Sequence, residues 1–241
     1  MAYLISVNAG TAAPTAHSDV PTTGIDKRPI DGPVLVTVPG PRGTQETGVA
    51  GDVVCDVRHH GGPDQAVYAY AREDLDRWEA ELRRELPGGV FGENLTTSGL
   101  DVTGARIGER WRIGDELLLE VSAPRIPCRT FAAWLDERGW IKRFTQRALP
   151  GAYLRVVRPG TIRAGDPVEV VHSPAHDVTV GVAFRALTAE PALLPRLLAA
   201  DELPERTKEK VRTRLNLSAA PARTPAGSPA GESGAAGSPR S

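Results

Sequence analysis

Residues 112–131, RIGDELLLEVSAPRIPCRTF, combine a turn, a strand-like run and a stiff loop that carries a cysteine. The run ELLLEVS (116–122) is rich in Leu and Val and follows the turn residues RIGD, a pattern typical of a strand. Pro124 and Pro127 restrict the backbone beyond it. We therefore expect a strand that leads into an extended loop, with Cys128 held in that loop.

Similar short runs recur from the start of the chain to about residue 171, with Gly- and Pro-rich turns such as GPRG (40–43) and RPGTIRAGD (158–166) between them. Many short strands with few helices favour a closed or partly closed β-barrel, so the fold class is predicted to be mainly β. The other candidate strands are YLISV (3–7), PVLVTV (33–38), DVVCDV (52–57), QAVYAY (65–70), AYLRVV (152–157) and DPVEVV (166–171).

Helical patterns interrupt these strands at two places. AREDLDRWEAELRREL (71–86) places Leu75, Trp78 and Leu82 at helical spacing, with charged residues between them. FAAWLDERGWIKRFTQRAL (131–149) predicts two shorter helices on either side of a glycine at position 139. The barrel is therefore expected to carry a few helices.

Beyond His172 the hydrophobic period changes and predicts three short helices. We expect Asp177 to cap the first helix, and Pro191 and Pro204 to lie at the starts of the other two. A packing or dimerisation appendage is the simplest role. A helix-turn-helix is the alternative, since residues 204–214 contain five cations and two acids, a net charge of +3. Apolar side chains available for contacts between subunits are Leu193, Leu194, Leu197 and Leu198.

These patterns divide the chain into a β-barrel domain (1–172), a three-helix segment (173–217) and a tail (218–241). The tail, SAAPARTPAGSPAGESGAAGSPRS, lacks large apolar side chains. It cannot bury enough surface to offset the entropy of ordering, so it is predicted to be disordered.

The composition excludes several classes of protein. The 241 residues carry a net charge of −1, whereas bulk nucleic-acid binding needs a strong positive field. No apolar run reaches the length of a membrane span, and the first residues, MAYLISVNAG, do not resemble a secretory signal. Two cysteines do not make a disulfide framework. A cytoplasmic protein with reduced thiols that binds neither membrane nor nucleic acid is expected.

Cys128 is the strongest candidate for chemistry. Arg125 and Arg129 flank it, and nearby cations favour the thiolate, the form of cysteine that attacks substrates or binds metals. A buried and inert cysteine is the alternative, and the sequence context leaves both open. Cys55 alternates with valines in a strand-like run and is interpreted as a core residue.

A second polar cluster lies in GVAGDVVCDVRHHGGPDQAVYAY (48–70). Its glycine pair lets backbone N–H groups approach a ligand, and adjacent basic side chains suit a phosphate, although a polar turn between strands is the alternative. Zinc bound by Cys55, His59 and His60 is disfavoured by their spacing. Two weaker loops are GIDKRPIDGPV (24–34) and GGVFGENLTTSGL (88–100). No P-loop, G-x-G-x-x-G, G-x-S-x-G or H-E-x-x-H pattern is present.

Six stretches, in this order, resemble the MOSC family, which is named for the C-terminal domain of molybdenum-cofactor sulfurase. Within that family they resemble stand-alone bacterial proteins linked to resistance against 6-hydroxylaminopurine, and the resemblance runs from about Ile5 to Leu217, including the helical segment. The stretches are GIDKRPIDGPV, GVAGD, DVRHHGGPDQAVYAY, FGENLTTSGL, IGERWRIGDELLLEVSAPRIPC and YLRVVRPGTIRAGD.

The resemblance implies a β-barrel-like fold and a molybdenum cofactor, in which a pterin dithiolene holds the metal. It also implies that Cys128, at the family's cysteine position, is a sulfur ligand of molybdenum, kept ionised by Arg125 and Arg129. The remaining candidates for binding the cofactor are Lys27, Arg58 and His60 at its phosphate end, and Asn94 at the pterin edge.

The implied reaction is the reduction of an N–O bond in small N-hydroxylated substrates such as 6-hydroxylaminopurine. Two cysteines cannot hold an iron–sulfur cluster, so a separate flavoprotein or ferredoxin-type donor is expected to supply electrons. His60 or Asp56 is a candidate to relay a proton. Two other functions remain open, namely a cofactor carrier without turnover and sulfur transfer through a persulfide on Cys128. The resemblance also implies a homodimer.

Overall fold

The computed structural model of the chain describes residues 1–217, and strands dominate the first 172 of them. The strands are β1 (Ala2–Gly10), β2 (Ala13–Pro14), β3 (Thr22–Thr23), β4 (Lys27–Pro29), β5 (Val34–Val36), β6 (Val67–Ala71), β7 (Leu95–Ser98), β8 (Arg110–Ile113), β9 (Leu117–Pro124), β10 (Ala152–Arg158), β11 (Gly160–Ile162) and β12 (Pro167–His172). The helices are α1 (Arg72–Leu82), α2 (Arg129–Leu135), α3 (Trp140–Arg147), α4 (Val180–Thr188) and α5 (Glu205–Arg214), with 3-10 helices at Pro63–Gln65 and Pro191–Ala199.

Seven strands close into a barrel in the order β1-β12-β8-β9-β10-β6-β7 and back to β1. The closing pair joins the first strand to the last, with Ala2 opposite Val168. All neighbours in the barrel are antiparallel except β6 and β7, which are parallel and connected through α1. Beyond the barrel, β4 pairs with the far end of β1. The predicted β-barrel is confirmed.

Most of the candidate strands form, but the prediction of a strand at DVVCDV (52–57) is wrong. These residues form a loop along the wall of a pocket, and Cys55 is half-buried there rather than packed in the core. The carboxylate of Asp52 accepts hydrogen bonds from Gly10 N–H and Asn94 Nδ2, so the start of the run is held by side-chain contacts instead of a strand ladder. Val53 and Val54 line the pocket, so their apolar side chains are used there and not in a strand of the core.

Two barrel strands, β7 and β8, were not predicted from the sequence. The strand β7 is LTTS, with few of the large apolar residues that mark a strand. In β8, Trp111 and Ile113 are buried while Arg112 is exposed, so an alternating pattern was present in four residues. The turn assigned to RIGD begins only at Gly114, which has a positive φ of 59°.

The helices before residue 172 follow their predictions. Leu75 and Trp78 of α1 are fully buried, and the helix ends where Arg83 takes a left-handed conformation. Gly139 separates α2 from α3 with a φ of 70°, the left-handed region that favours glycine. The expected two short helices around this glycine are confirmed.

The segment after β12 contains two α-helices with a 3-10 helix between them. Thr179 caps α4 by accepting a hydrogen bond from Val182 N–H at 3.1 Å, so the expected Asp177 cap is wrong; Asp177 pairs instead with Arg196. Leu194 and Leu197 are buried in the core of this chain, and the expectation that they contact a second subunit is therefore wrong. The predicted disordered tail (218–241) lies outside the described residues.

An aromatic cluster forms a second core beside the barrel interior. Phe91 lies at its centre, with ring centroids of Tyr70, Phe131 and Trp140 between 5.1 and 5.5 Å away. Several of these contacts are edge-to-face, which is the favoured aromatic geometry. Cys128 is packed against the edge of this cluster, so the cluster fixes the loop after β9. No helix within residues 1–217 is both long and apolar enough to cross a membrane.

Replacing Phe91 with alanine is expected to lower the free energy of unfolding by about 3–5 kcal/mol, because it leaves a cavity among rings that cannot collapse onto it. Urea denaturation measures this change. The control is Val171→Ala, at a half-exposed side chain of β12, which should shift stability by less than about 0.5 kcal/mol. Equal losses in the two variants would contradict the role assigned to the aromatic cluster.

Candidate functional site

A pocket opens at one end of the barrel, between the loop 52–62 and the loop that follows β9. Its space free of protein atoms, including the open mouth, is about 910 Å³. The structure brings most of the predicted site residues together here. Those that line the pocket are Lys27, His60, Asn94, Arg125 and Cys128, joined by Cys55.

Cys128 is half-buried in the pocket wall, at the residue that precedes α2. Its backbone is extended, and its carbonyl oxygen accepts the N–H of Ala132 at 3.0 Å. The strand β9 ends at Pro124, so the loop of three residues between them carries the cysteine to the pocket as the prolines predict. The inert, core-buried cysteine considered from the sequence does not match this position.

Arg125 is the buried cation of the pocket, with only 5% of its surface exposed. Its guanidinium carbon lies 3.8 Å from the centre of the Phe131 ring and 5.2 Å from that of Tyr68, and Nη1 donates to the carbonyl of Phe91. Burial acts to lower the pKa of Arg125, but the nearby Tyr68 and other ionisable groups of the pocket, Cys128 among them, outweigh it and raise the pKa. The charge is therefore permanent.

No carboxylate within residues 1–217 forms an ion pair with Arg125. A buried charge without a partner is strongly unfavourable, since neither water nor a counter-ion compensates it. The Phe91 carbonyl and the rings beside the guanidinium compensate part of this charge, and an anion in the pocket would complete the compensation. Cys128 lines that same space, so the pocket is suited to an anionic group that also binds sulfur.

His60 contributes a neutral imidazole. Burial lowers its pKa to about 4, and the positive charge of Arg125 acts in the same direction, while Asp56 opposes them. Near pH 7 the side chain offers a hydrogen-bond donor and an acceptor rather than a charge. The cationic role expected of His60 at a phosphate is therefore not supported by its surroundings.

Lys27 and Asn94 are held in one network around Asp52. The Lys27 ammonium pairs with the Asp52 carboxylate, and both groups are nearly buried. Asn94 Nδ2 donates to Asp52 Oδ2 at 2.8 Å, and its Oδ1 accepts the N–H of Tyr68 at 3.1 Å. The charge of Lys27 is thus neutralised and the amide of Asn94 is largely committed. Their common effect is to fix the loop 52–62 against the barrel.

Arg58 and Arg129 lie away from the pocket lining. The side chain of Arg58 is 59% exposed, with guanidinium nitrogens 3.7 Å from Asp56 and 3.8 Å from Asp19. Arg129 Nη2 pairs with the same Asp19 at 2.6 Å. Of the two arginines that flank Cys128 in sequence, only Arg125 therefore reaches the pocket.

Gln65 and Tyr153 line the pocket and were not found from the sequence. Gln65 Oε1 is buried and has no hydrogen-bond partner within the described chain. Burial raises the pKa of Tyr153, so its phenol stays protonated. Gln65 ends a 3-10 helix and Tyr153 lies in β10, in ordinary strand and turn patterns that give no signal of a site.

The glycine pair of the loop lines the pocket, and its backbone conformation and packing both favour glycine. Gly61 and Gly62 both have a φ of 81°. A Cβ on Gly62 would lie 3.0 Å from backbone atoms of Arg42, so the loop around Arg42 packs directly on this glycine. The zinc alternative lacks ligands, since no group of three His, Cys, Asp or Glu side chains within residues 1–217 is arranged to hold a metal ion.

Comparison with known proteins assigns the family. The MOSC domain model matches residues 56–169. Protein YiiM of Escherichia coli is 32% identical over 183 residues, which cover 75% of this chain and 76% of that protein. This chain belongs to the MOSC family. The crystal structure of YiiM from Geobacillus stearothermophilus superposes with a TM-score of 0.72 at 27% identity, covering 89% of this chain and all of that one.

A relative named "Reductase", from Gibberella moniliformis, is 31% identical over 204 residues. The match covers 83% of this chain but only 35% of the fungal protein. The chain therefore spans about a third of the length of that relative. The MOSC domain matched here belongs to a family associated with the molybdenum cofactor.

The pKa of His60 predicts how stability changes with pH. Unfolded, the imidazole has a pKa of about 6.5, against about 4 in the folded protein. As the pH falls through this range, the unfolded chain takes up a proton that the folded chain does not. The free energy of unfolding should therefore fall by up to about 3 kcal/mol between pH 6.5 and 4 through this group.

Urea denaturation at several pH values, with His60→Asn for comparison, isolates this contribution. The variant should lose less stability than the wild type over that range. An NMR titration of the wild-type histidines gives the pKa of His60 directly. A His60 signal that titrates near pH 6.5 would show that the imidazole is not desolvated as described.

Proposed function

We propose that this chain is a molybdenum-cofactor-dependent reductase that cleaves the N–O bond of small N-hydroxylated compounds such as 6-hydroxylaminopurine. Membership of the MOSC family supports the cofactor, and the relative named a reductase supports the reaction class. The observation that carries the proposal is the unpaired, buried charge of Arg125 beside Cys128 in one pocket.

The residues present fit a molybdenum cofactor. Cys128 offers a soft sulfur ligand, which suits a metal that is also bound by dithiolene sulfurs. Arg125 offers a charge to balance an anionic metal–sulfur centre or a phosphate. Gln65 Oε1 is a buried acceptor that awaits an N–H donor, such as those at the edge of a pterin ring.

The reaction consumes two electrons and two protons, converting R–NHOH to R–NH₂ and water as the N–O bond breaks. When bound, the molybdenum cofactor supplies the two-electron redox centre for this change. Cys128 would hold the metal, Arg125 would keep the negative charge of the centre stable in a partly desolvated pocket, and Tyr153 would offer an O–H donor from its protonated phenol. These residues bind and orient rather than supply electrons.

Electrons must come from outside the chain. The full sequence contains two cysteines, and an iron–sulfur cluster is held by four such ligands. A reduced flavoprotein or ferredoxin-type protein is therefore proposed as the donor. The free thiols of Cys55 and Cys128 are in keeping with a cytoplasmic setting.

Two matched variants test the role of the sulfur ligand. Cys128→Ser, prepared from a host that makes molybdenum cofactor, should lose its bound molybdenum. Its rate of 6-hydroxylaminopurine reduction by reduced methyl viologen should fall by more than about 100-fold. Cys55→Ser is the control, because Cys55 is also half-buried and lines the same pocket. It should keep both. Elemental analysis and the rate of amine formation are the two measurements.

The outcomes separate the proposed function from its alternatives. Full molybdenum content and activity in Cys128→Ser would overturn the ligand role. Wild-type protein that binds molybdenum but never reduces the hydroxylamine would be a carrier rather than a reductase. A persulfide on Cys128 after incubation with a cysteine desulfurase, detected by mass spectrometry in protein without reductase activity, would instead indicate sulfur transfer.

A further inference from the structure

A group of exposed cations lies on α5 and on the loop that follows β5. Arg206, Lys210 and Arg214 follow one another at intervals of four residues, so they share one side of the helix. Arg42 is near them, because its charge acts on Lys210 and that of Arg206 acts on Arg42. We call these four residues the cationic patch.

In the part of the chain that the structure describes, the helical cations of the patch form no ion pairs, in contrast to the rest of α5. Glu205 pairs with Lys208 at 3.0 Å and with Arg212 at 2.7 Å, so this acid is already engaged. Within residues 1–217, neither Arg206 nor Lys210 forms an ion pair. The three helical cations of the patch therefore project a positive field, whereas the negative charges of Asp64 and Asp56 also act on Arg42.

Mutual repulsion shows how closely the charges are gathered. Partial burial lowers the pKa of Arg42 and the nearby Arg206 lowers it further, while Asp64, Tyr153 and Asp56 act in the opposite direction. Partial burial likewise lowers the pKa of Lys210, followed by the effects of Arg206 and Arg42. Like charges held together destabilise a folded chain unless they serve an external anion.

The patch adjoins the pocket. The backbone of Arg42 packs on Gly62, which lines the pocket. The charge of Arg42 also reaches two other lining residues, since it acts on both His60 and Tyr153. An anionic surface that covers the patch would therefore lie next to the opening through which electrons have to enter.

We propose that the cationic patch is the docking surface for the acidic face of the redox protein that supplies electrons to the pocket. This rests on the proposed function, because only a redox site needs such a donor. From Arg206 to Arg214 the patch extends about 12 Å along the helix, at about 1.5 Å per residue, which is longer than one phosphate group. An extended acidic surface fits this spacing better than a small anion does.

The electron count fixes what the partner must deliver. One flavin hydroquinone, or two reduced ferredoxin molecules in succession, supplies two electrons and becomes oxidised. Two protons from solvent complete the conversion of R–NHOH to R–NH₂ and water. Charge complementarity between the patch and an acidic donor raises the rate of encounter and makes it sensitive to salt.

The test uses an acidic bacterial flavodoxin as the probe and the full-length, cofactor-loaded chain. The double variant Arg206→Glu/Lys210→Glu should weaken flavodoxin binding, measured by surface plasmon resonance, by at least about 10-fold, and added salt should weaken wild-type binding as well. Turnover driven by reduced flavodoxin should fall in parallel. Turnover driven by reduced methyl viologen should stay at the wild-type level, because a small donor does not need the patch.

The matched control is Arg138→Glu/Lys142→Glu. It makes the same change in net charge at two exposed cations, also four residues apart, outside the patch. It should bind flavodoxin to within about twofold of the wild type. Equal loss of binding in the two double variants would reduce the effect to net charge and overturn the proposal, as would unchanged binding in the patch variant.

Two further results overturn the docking proposal in distinguishable ways. If inorganic phosphate protects the patch of the wild type from lysine acetylation while flavodoxin does not, the patch is a small-anion site. If wild-type protein shows no turnover even with methyl viologen, the proposed function fails. In that case the binding measurement still tests whether flavodoxin binds at the patch. Flavodoxin binding without any turnover would overturn the assignment of the patch to an electron donor, because the protein would have no reaction that consumes electrons.

Discussion

Arg125 is a positive charge buried beside a thiol, with no acidic partner in the described part of the chain, and the arrangement of the pocket depends on it. An ion desolvated in this way is stable only if its surroundings are fixed and a negative charge is supplied. The ring of Phe131 and the carbonyl of Phe91 hold the guanidinium in place. The same charge helps to keep His60 neutral. One arginine thus sets the sign of the pocket and adds to the effect of burial on the protonation of its histidine.

Two rigid supports hold the walls around this charge. The aromatic cluster on one side fixes the loop that carries Cys128. The ion pair and hydrogen bonds of Asp52 fix the loop 52–62 on the other side. Both supports combine residues far apart in the chain, since Asp52 contacts Gly10, Lys27 and Asn94. The pocket is therefore preorganised by the fold rather than assembled by a ligand, as sites of precise chemistry require.

Local patterns in the sequence predicted those parts of the molecule that depend on neighbours in the chain. The two prolines placed Cys128 in an extended loop, and Gly139 separated two helices, because each acts on its own backbone. Parts decided by distant contacts were missed. The run 52–57 looks like a strand but follows the contacts of Asp52, and β7 is polar yet lies in the barrel wall. Neither the burial of His60 nor the lone oxygen of Gln65 leaves a local pattern.

The electrostatics of the site show the same limit. Arg125 and Arg129 lie on either side of Cys128 in the sequence, and the sequence alone does not show which of them faces the pocket. The structure turns Arg125 inward over Phe131 and Arg129 outward to Asp19. Only the direction of the chain after β9 decides between them. Lys27 likewise resembles a free phosphate ligand until its partner Asp52, 25 residues later, is seen beside it.

The pairing of β1 with β12, which closes the barrel, constrains the order in which the barrel can form during synthesis. The strand β1 is synthesised before its partner β12, which consists of residues 167–172. Until then β1 has one exposed edge, and such an edge is prone to pair with other chains. The barrel, and with it the pocket, therefore closes only after residues 167–172 have been synthesised. A truncated product that stops before residue 167 has the thiol and the arginine but no closed wall to hold them.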